Sequence, residues 1–529
     1  MNRKKLLLYI ETVRYLRTGQ IFSQILVRLR RVLFRTGRSL KITSSRDGSD
    51  SVVFSALITK PTGLLQDGRF CFINQIDSFS SWDDKSNGAL WRYNLNYMDF
   101  LLQDGMTGDL GLQWIDNFIR NASANTIIDD PYPISLRSVN WIKFMMLHKI
   151  ENPRKSQIDT FVYAQLCWLS AHTERHLLAN HYLENGFSLL WGGIYFHDGR
   201  LLQKSERILC EQLDEQILAD GGHFELSTMY HCIMLERVLD AVNLLKNNEC
   251  GSIRLKNYLE RKASGMLGWL QAMLLPDGNI PLFNDSAYGI APFPSELFEY
   301  AGRLGLQWQN AKLAASGYRH LTRGLFDLIA DVGQVGAAYN AGHAHADTFN
   351  YVLGHNGKNI IIDTGTSCYD GNASRRGYER STSAHNTVMF NEADSSEVWG
   401  SFRCGRRANV KILRDDEYAL EAEHDGYAKS GVSVVRNWTM LDNELQIKDI
   451  VSGNICKDSV SRMFFAPSLE LVRIADNEYG IGALSLSFTG ASDVIVAEAE
   501  VASGYNTLVK TTVLEISFRT ELVTVIKEK

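Results

Sequence analysis

From about residue 90 to residue 325, apolar side chains recur at intervals of three and four, the spacing that lines up one face of an α-helix. Segments 109–122, 135–150, 158–173, 175–193, 202–219, 224–246 and 253–273 are each long enough for three or more turns, and the breaks between them fall at Gly, Asn and Pro clusters. Short connections force successive helices to pack antiparallel, so this many in series predicts helical hairpins wound into a partial toroid. Beyond residue 325 the period changes to two. Asn350–Leu353 and Asn359–Asp363 flank the turn signal His355-Asn356-Gly357, and Val434–Met440 pairs with Glu444–Ile450 across Leu441-Asp442-Asn443. Alternation continues through Leu484–Phe488, Val494–Val501 and Leu508–Val525, which predicts a largely antiparallel sheet region. A helical half followed by a strand half makes an α+β multidomain chain whose junction is the expected site.

A separate pattern opens the chain. Phe22, Ile25, Leu26, Leu29, Val32 and Leu33 fall at helical spacing with Arg28, Arg30, Arg31 and Arg35 interleaved, an amphipathic basic helix. It has two readings: peripheral contact with an anionic membrane surface, or a helix packed on the domain with its arginines in water. Residues 1–38 hold ten Lys/Arg against the single acid Glu11, which leaves 45 basic and 59 acidic residues elsewhere, a net of -14. So acidic a body argues against nucleic-acid binding.

The other composition data exclude more classes. With 529 residues, 45% hydrophobic and 22% charged, the chain has globular composition; disorder, collagen and coiled coil are out. Eight cysteines without a Cys-x-x-Cys pair indicate neither a disulfide framework nor a cysteine zinc knuckle. The apolar run Leu6–Ile10 stops at Glu11 without a cleavage site, so no signal peptide is recognised, and no stretch is apolar enough to span a bilayer. A cytoplasmic location, with or without contact at the inner membrane face, is the expectation.

The densest chemical constellation is Gly342-His343-Ala344-His345-Ala346-Asp347. On a strand, residues 343, 345 and 347 would share one face. With Asp363 and His385 further on, two histidines and an aspartate from three strands could hold Zn²⁺, or be polar residues satisfied inside a sheet. In the helical half, Asn180-His181 and the run Asp220-Gly221-Gly222-His223-Phe224-Glu225 leading into Tyr230-His231 supply further polar groups. Arg92, Arg375, Arg376, Arg380, Arg406 and Arg407 are candidates to grip acidic groups, Arg92 and Arg380 first. Trp91, Tyr93, Tyr97, Trp191 and Trp399 could stack on sugar rings or simply fill the core.

Seven blocks resemble the heparinase II/III-like family in its order: 90–97 (LWRYNLNY), 131–137 (PYPISLR), Asn180-His181, 220–225 (DGGHFE), 281–286 (PLFNDS), 343–347 (HAHAD) and 380–387 (RSTSAHNT). The resemblance implies an incomplete (α/α) toroid, here 41–325, and an antiparallel β-sandwich, here 326–529; the charge pattern sets residues 1–40 apart as a basic amphipathic segment. It implies a polysaccharide lyase that cleaves a uronic-acid-containing glycan by β-elimination, tied to bacterial cell-surface polysaccharide metabolism, with an acidic polysaccharide as the partner. By carry-over, Asn180 and His181 neutralise the uronate carboxylate, Tyr230 is the catalytic tyrosine with His231 assisting, His343 is the base and Tyr378 a second acid. His345, Asp363 and His385 would bind a mainly structural zinc. The alternatives are a uronyl C5-epimerase, a non-catalytic glycan-binding or assembly protein, and, more remotely, a zinc hydrolase. Glycan identity, linkage and oligomeric state are not encoded in any motif.

Overall fold

The computed structural model describes residues 3–33, 45–249, 252–369 and 372–529. Two helices, Arg3–Val13 and Thr18–Leu33, open the chain, and a short hairpin, Arg69–Phe72 with Gln75–Ser78, precedes the helical half. The helices Gly108–Asn121, Pro131–Leu147, Arg154–Ala171, Ala179–Tyr195, Gly199–Gln216, Thr228–Asn247 and Ile253–Ala272 occupy the segments that periodicity marks out. Capping fixes several of their starts: Thr107, Asp198, Ser227 and Ser252 each accept from a backbone N–H of the first turn. Ala179–Tyr195 is buried on nearly every face except at His181, as an inner helix of a toroid must be.

The last helix of this half is Pro294–Arg303, and the first strand of the second half is Tyr318–Arg323. The strands form a four-stranded antiparallel sheet and a ten-stranded one, packed through a shared core in which Phe326, Leu328 and Tyr351 of the smaller meet Val434, Trp438 and Leu514 of the larger. The toroid plus β-sandwich architecture is therefore present. Both predicted hairpins form: Tyr351–His355 pairs with Lys358–Ile361, and Val432–Leu441 pairs with Glu444–Gly453. Buried and half-buried positions alternate along the second pair, and the inward sequence is apolar except for Arg436 opposite Asp449. That buried pair joins at 2.6 and 2.8 Å, and Arg436 also donates to the carbonyls of Phe349 and Asn386, so each charge is compensated.

Two expectations change. The runs at Leu484–Phe488 and Val494–Val501 belong to one strand, Leu484–Gly504, which pairs along its length with Thr507–Glu528. Register shifts near Thr489, Ala491 and Ala502 absorb the polar interruption that looks like a loop in the sequence. Residues 341–350, around the paired histidines, form turns instead of a strand.

Candidate active site

The helical half delivers its polar groups on the first turns of helices. After Gly199–Gln216, the chain reverses through Gly221, which has φ +92°; a Cβ there would meet the Gly265 carbonyl oxygen at 2.1 Å, so only glycine fits. Asp220 Oδ2 pins this turn by accepting from Ala314 N, Ser316 N and Ser316 Oγ. The turn leads to buried Glu225 and then to Ser227, whose Oγ accepts from Tyr230 N at 3.1 Å and donates to the Asp285 carbonyl at 2.6 Å. Tyr230 thus stands in the first turn of Thr228–Asn247. Asn180 has the same relation to Ala179–Tyr195. Leu178, Ala179, Leu226 and Asn284, all flanking these groups, adopt positive φ between 51° and 60°. Left-handed backbone at a non-glycine residue costs on the order of 1–3 kcal/mol and persists only where surrounding bonds over-determine it.

The groups of the sheet half are held by buried ions, with one carboxylate, Asp285, reaching them from the helical half. Asp285, wholly buried, takes two bonds from the Arg376 guanidinium, one of them at 2.7 Å. It also bonds His343 Nδ1 at 2.8 Å and His345 Nε2 at 2.9 Å. Burial alone would raise the Asp285 carboxyl, but the Arg376 charge and the two histidine bonds outweigh it and hold it well below the ordinary range. An ionised Asp285 requires a proton on His343 Nδ1, the tautomer in which the neutral ring carries its lone pair at Nε2. Between the two histidines, the Ala344 carbonyl accepts from Arg380 Nε and Nη2 at 3.2 and 2.8 Å.

Across the seam between the halves, the Tyr230 and His343 rings lie 4.1 Å apart, and His343 keeps 17% of its side chain exposed. Tyr369 completes the group: its hydroxyl donates to the Tyr230 hydroxyl at 3.3 Å. Burial pushes the Tyr230 phenol well above 10, and the phenol of Tyr369 and the carboxylates of Asp285 and Glu225 push it further, so it stays protonated. Glu225 Oε2 lies 3.8 Å from His343 Nε2. Burial raises the Glu225 carboxyl too. Asn180 meets this cluster through its backbone N–H, which bonds Glu225. His181 bonds Glu174 at 3.1 Å and packs against Tyr132. Burial opposes its charge, yet Glu174 prevails and raises its pKa.

The residues named for zinc form a relay. Asp363 Oδ2 accepts from His385 Nδ1 at 2.9 Å, His385 Nε2 faces His345 Nδ1 at 3.3 Å, and His345 Nε2 reaches Asp285. Against the effect of burial, Asp363 raises the His385 pKa, while burial lowers His345 to about 3, so the pair favours a proton on His385 over one on His345. Asp363 occupies the far nitrogen of His385, and among the described residues no three His, Cys, Asp or Glu side chains converge as a metal shell.

Other sequence candidates stand elsewhere. His231 points into the helical core, bonding the Met266 carbonyl at 3.1 Å against the Trp269 ring, and burial lowers it to about 3; it does not assist Tyr230. Helical geometry explains this, since neighbours one residue apart face about 100° apart. Tyr378 lines a separate surface cavity of about 460 Å³ with Arg375, Arg462 and Glu515. Arg92 is paired with Asp83 at 2.8 Å, and Arg380 is spent on backbone carbonyls, so neither extends a free guanidinium to the seam. Trp91 and Trp191 are core residues, and Trp399 packs against Tyr9.

Sequence reasoning assigns no role to Asp285, Tyr369 or Glu225. Asp285 and Glu225 lie within the family-like blocks, which is the available signal; Tyr369 has none that separates it from Tyr378.

Two family models match the chain: "Heparinase II/III N-terminus" over residues 162–296 and "Heparinase II/III-like, C-terminal" over 307–527. The heparin-sulfate lyase of Pedobacter heparinus is 26% identical over 254 residues, covering 42% of this chain and 38% of that protein. The chain thus matches less than two-fifths of the length of that relative. Among solved structures, a heparinase III superposes with a TM-score of 0.65 at 14% identity, covering 93% of this chain and 87% of the other. A mutant of the heparan sulfate lyase from Pedobacter heparinus gives 0.59 at 17% identity, covering 85% and 79%. At these identities the structural matches establish the fold.

Proposed function

We propose that this chain, which belongs to the heparinase II/III-like family, is a polysaccharide lyase that breaks a uronate-containing glycan by β-elimination. The observation that carries the reading is the pairing across the seam of a protonated phenol, Tyr230, with an imidazole, His343, whose Nδ1 is turned to the ionised Asp285 so that Nε2 is the nitrogen available to act as base. The name of the Pedobacter relative, a heparin-sulfate lyase, is of the same class.

Each group has a defined task. A proton beside a carboxylate is hard to remove because the anion resists further negative charge, so that carboxylate must first be neutralised. Asn180 and His181 serve this end; His181 keeps a raised pKa through Glu174 and is half-exposed, so it offers positive charge where the two arginines do not. His343 Nε2 takes the C5 proton, the C5–H electron pair becomes the C4=C5 double bond, and the C4–O4 bond breaks toward the leaving sugar. Tyr230 protonates O4. Its raised pKa suits it to donate and not to accept, and Tyr369 orients its hydroxyl.

Zinc is a proposal of its own. The separation of His345 Nδ1 and His385 Nε2, 3.3 Å, matches the edge of a tetrahedron with metal–nitrogen bonds of about 2.0–2.1 Å. Buried Asp347 Oδ2, within electrostatic reach of His385, has no hydrogen-bond partner. These two histidines would be the ligands and Asp363 the group orienting His385; a bound ion would fix the loop carrying His343. Elemental analysis should find about one zinc per chain, lost in His385→Ala.

Ultraviolet absorbance of the new double bond, followed on a panel of polyuronates and glycosaminoglycans, tests the lyase. If the folded protein raises no absorbance on any of them, the reading fails. Deuterium uptake at C5 from heavy water without cleavage would identify an epimerase, and an unchanged glycan phenotype in cells carrying Tyr230→Phe and His343→Ala would identify a non-catalytic glycan binder.

A further inference from the structure

The two N-terminal helices sit on the body with their amphipathic character reversed. Their inward contacts are polar and tyrosyl: Gln20 and Gln24 donate to the carbonyls of Leu177 and His176, and Trp399 Nε1 donates to Thr12 Oγ1 at 3.1 Å. Tyr9 packs on Trp399, Arg407 lies over Tyr15, and Arg17 bonds Glu215 at 2.6 Å. The apolar side faces out. Leu7, Ile10 and Val13 on the first helix and Phe22, Ile25 and Leu29 on the second are 45–64% exposed. On a helix wheel each set falls in one arc, opposite the side that touches the body.

This differs from the domain-packed reading of the basic helix, in which the leucines face inward and the arginines face water. It also differs from an ordinary surface, where exposed apolar residues are scattered singly. Around the apolar arcs stand the exposed cations Lys5, Arg14 and Arg28, and the sole acid of residues 1–38, Glu11, pairs with Arg14 at 2.7 Å. The side chains of Arg30, Arg31, Val32 and Leu33, and all of Arg35 and Arg38, lie outside the described residues. No helix among the described residues is long and apolar enough to cross a membrane.

We infer that this outward face is a docking surface for an anionic phospholipid bilayer, with the helix pair lying flat in the headgroup layer. Charge decides between occupants. A second copy would bring an equally cationic face against this one, whereas anionic lipid complements it. The rest of the chain, net -14, is repelled by the same lipid, so the protein binds by this face alone. The pair spans both halves at one end of the seam, touching His176 and Leu177 just before Asn180 and Arg407 beside the turn that leads to His343. Docking therefore sets the candidate active site close to the lipid surface.

Co-sedimentation of the full chain with vesicles is the test. Vesicles containing phosphatidylglycerol and phosphatidylcholine in equal parts should bind it, and phosphatidylcholine alone should not. Replacing Leu7, Ile10, Phe22 and Leu29 together by Glu should lower the bound fraction about tenfold or more, and Arg14→Glu with Arg28→Glu should abolish the lipid preference. Circular dichroism confirms that each variant is folded; if the fourfold variant is not, Phe22→Glu alone is read in the same assay. Equal, weak sedimentation of native protein and variant with both vesicles would overturn the inference. So would a concentration-dependent dimer that the apolar variant dissociates, because the face would then belong to a second copy.

Discussion

The helical half and the sheet half hold their share of the candidate site by opposite means. In the helical half, Asn180 and Tyr230 ride on first turns, and their positions follow from where each helix starts. Backbone geometry supplies the precision: a serine cap and a glycine turn that admits no side chain. In the sheet half, His343, His345 and Tyr369 sit on turns between strands, where the backbone alone would not hold them. There the precision comes from buried charge: Asp285, reaching across from the helical half, is the hub, Arg376 binds it, and Arg380 holds the Ala344 carbonyl. A helix start tolerates loss of one bond because the rest of the helix still holds it; a loop pinned by one carboxylate does not.

Asp285→Asn breaks that contrast most severely. It leaves the Arg376 charge buried without its counter-ion and frees both histidines, so thermal unfolding should report a loss of roughly 3–5 kcal/mol. Cleavage should fall to background even at temperatures where the variant is folded. If the variant keeps native stability and activity, the charge-hub account is wrong.

Tyr230→Phe tests the other half. The helix start is untouched, so the unfolding midpoint should stay within about a degree, while kcat falls by roughly 10²–10⁴, the usual span of a general acid. A large loss of stability would mean that Tyr230 is a structural residue.

Smaller again is Tyr369→Phe, which removes a single neutral hydrogen bond to Tyr230 and should lower kcat about tenfold. Tyr378→Phe, in a separate cavity, should leave kcat within about twofold of native. Reversed outcomes would restore Tyr378 as the second tyrosine.

The smallest effect is in pH. The pKa of His181 is raised in the fold by Glu174, so its contribution to stability is fully present below the ordinary histidine pKa, about 6.5, and is lost as pH rises through the folded value. Native protein should therefore exceed Glu174→Gln in stability by a margin that is widest below that pH and shrinks above it. Urea titrations at a series of pH values read this margin; one that grows with pH contradicts it.

Much of this molecule was legible in the amino-acid sequence because periodicity is local. The helices from Gly108 to Ala272, the hairpins at 351–361 and 432–453 and the change from helix to sheet all follow from spacing a few residues wide. The family resemblance likewise points to Asn180, Tyr230 and His343, which the fold gathers around Glu225 at one seam. Other features depended on distant contacts. That His343 and His345 share Asp285, that Tyr369 and not Tyr378 reaches Tyr230, and that Arg380 holds a carbonyl instead of a glycan are decided by pairs 36 to 139 residues apart in the chain. Whether the N-terminal apolar stripe faces core or water was equally undecidable from spacing, which identifies a stripe and not its neighbour. Tertiary structure alone decides such matters, because a side chain's partner and the burial that sets its charge belong to the folded surroundings and not to the residue.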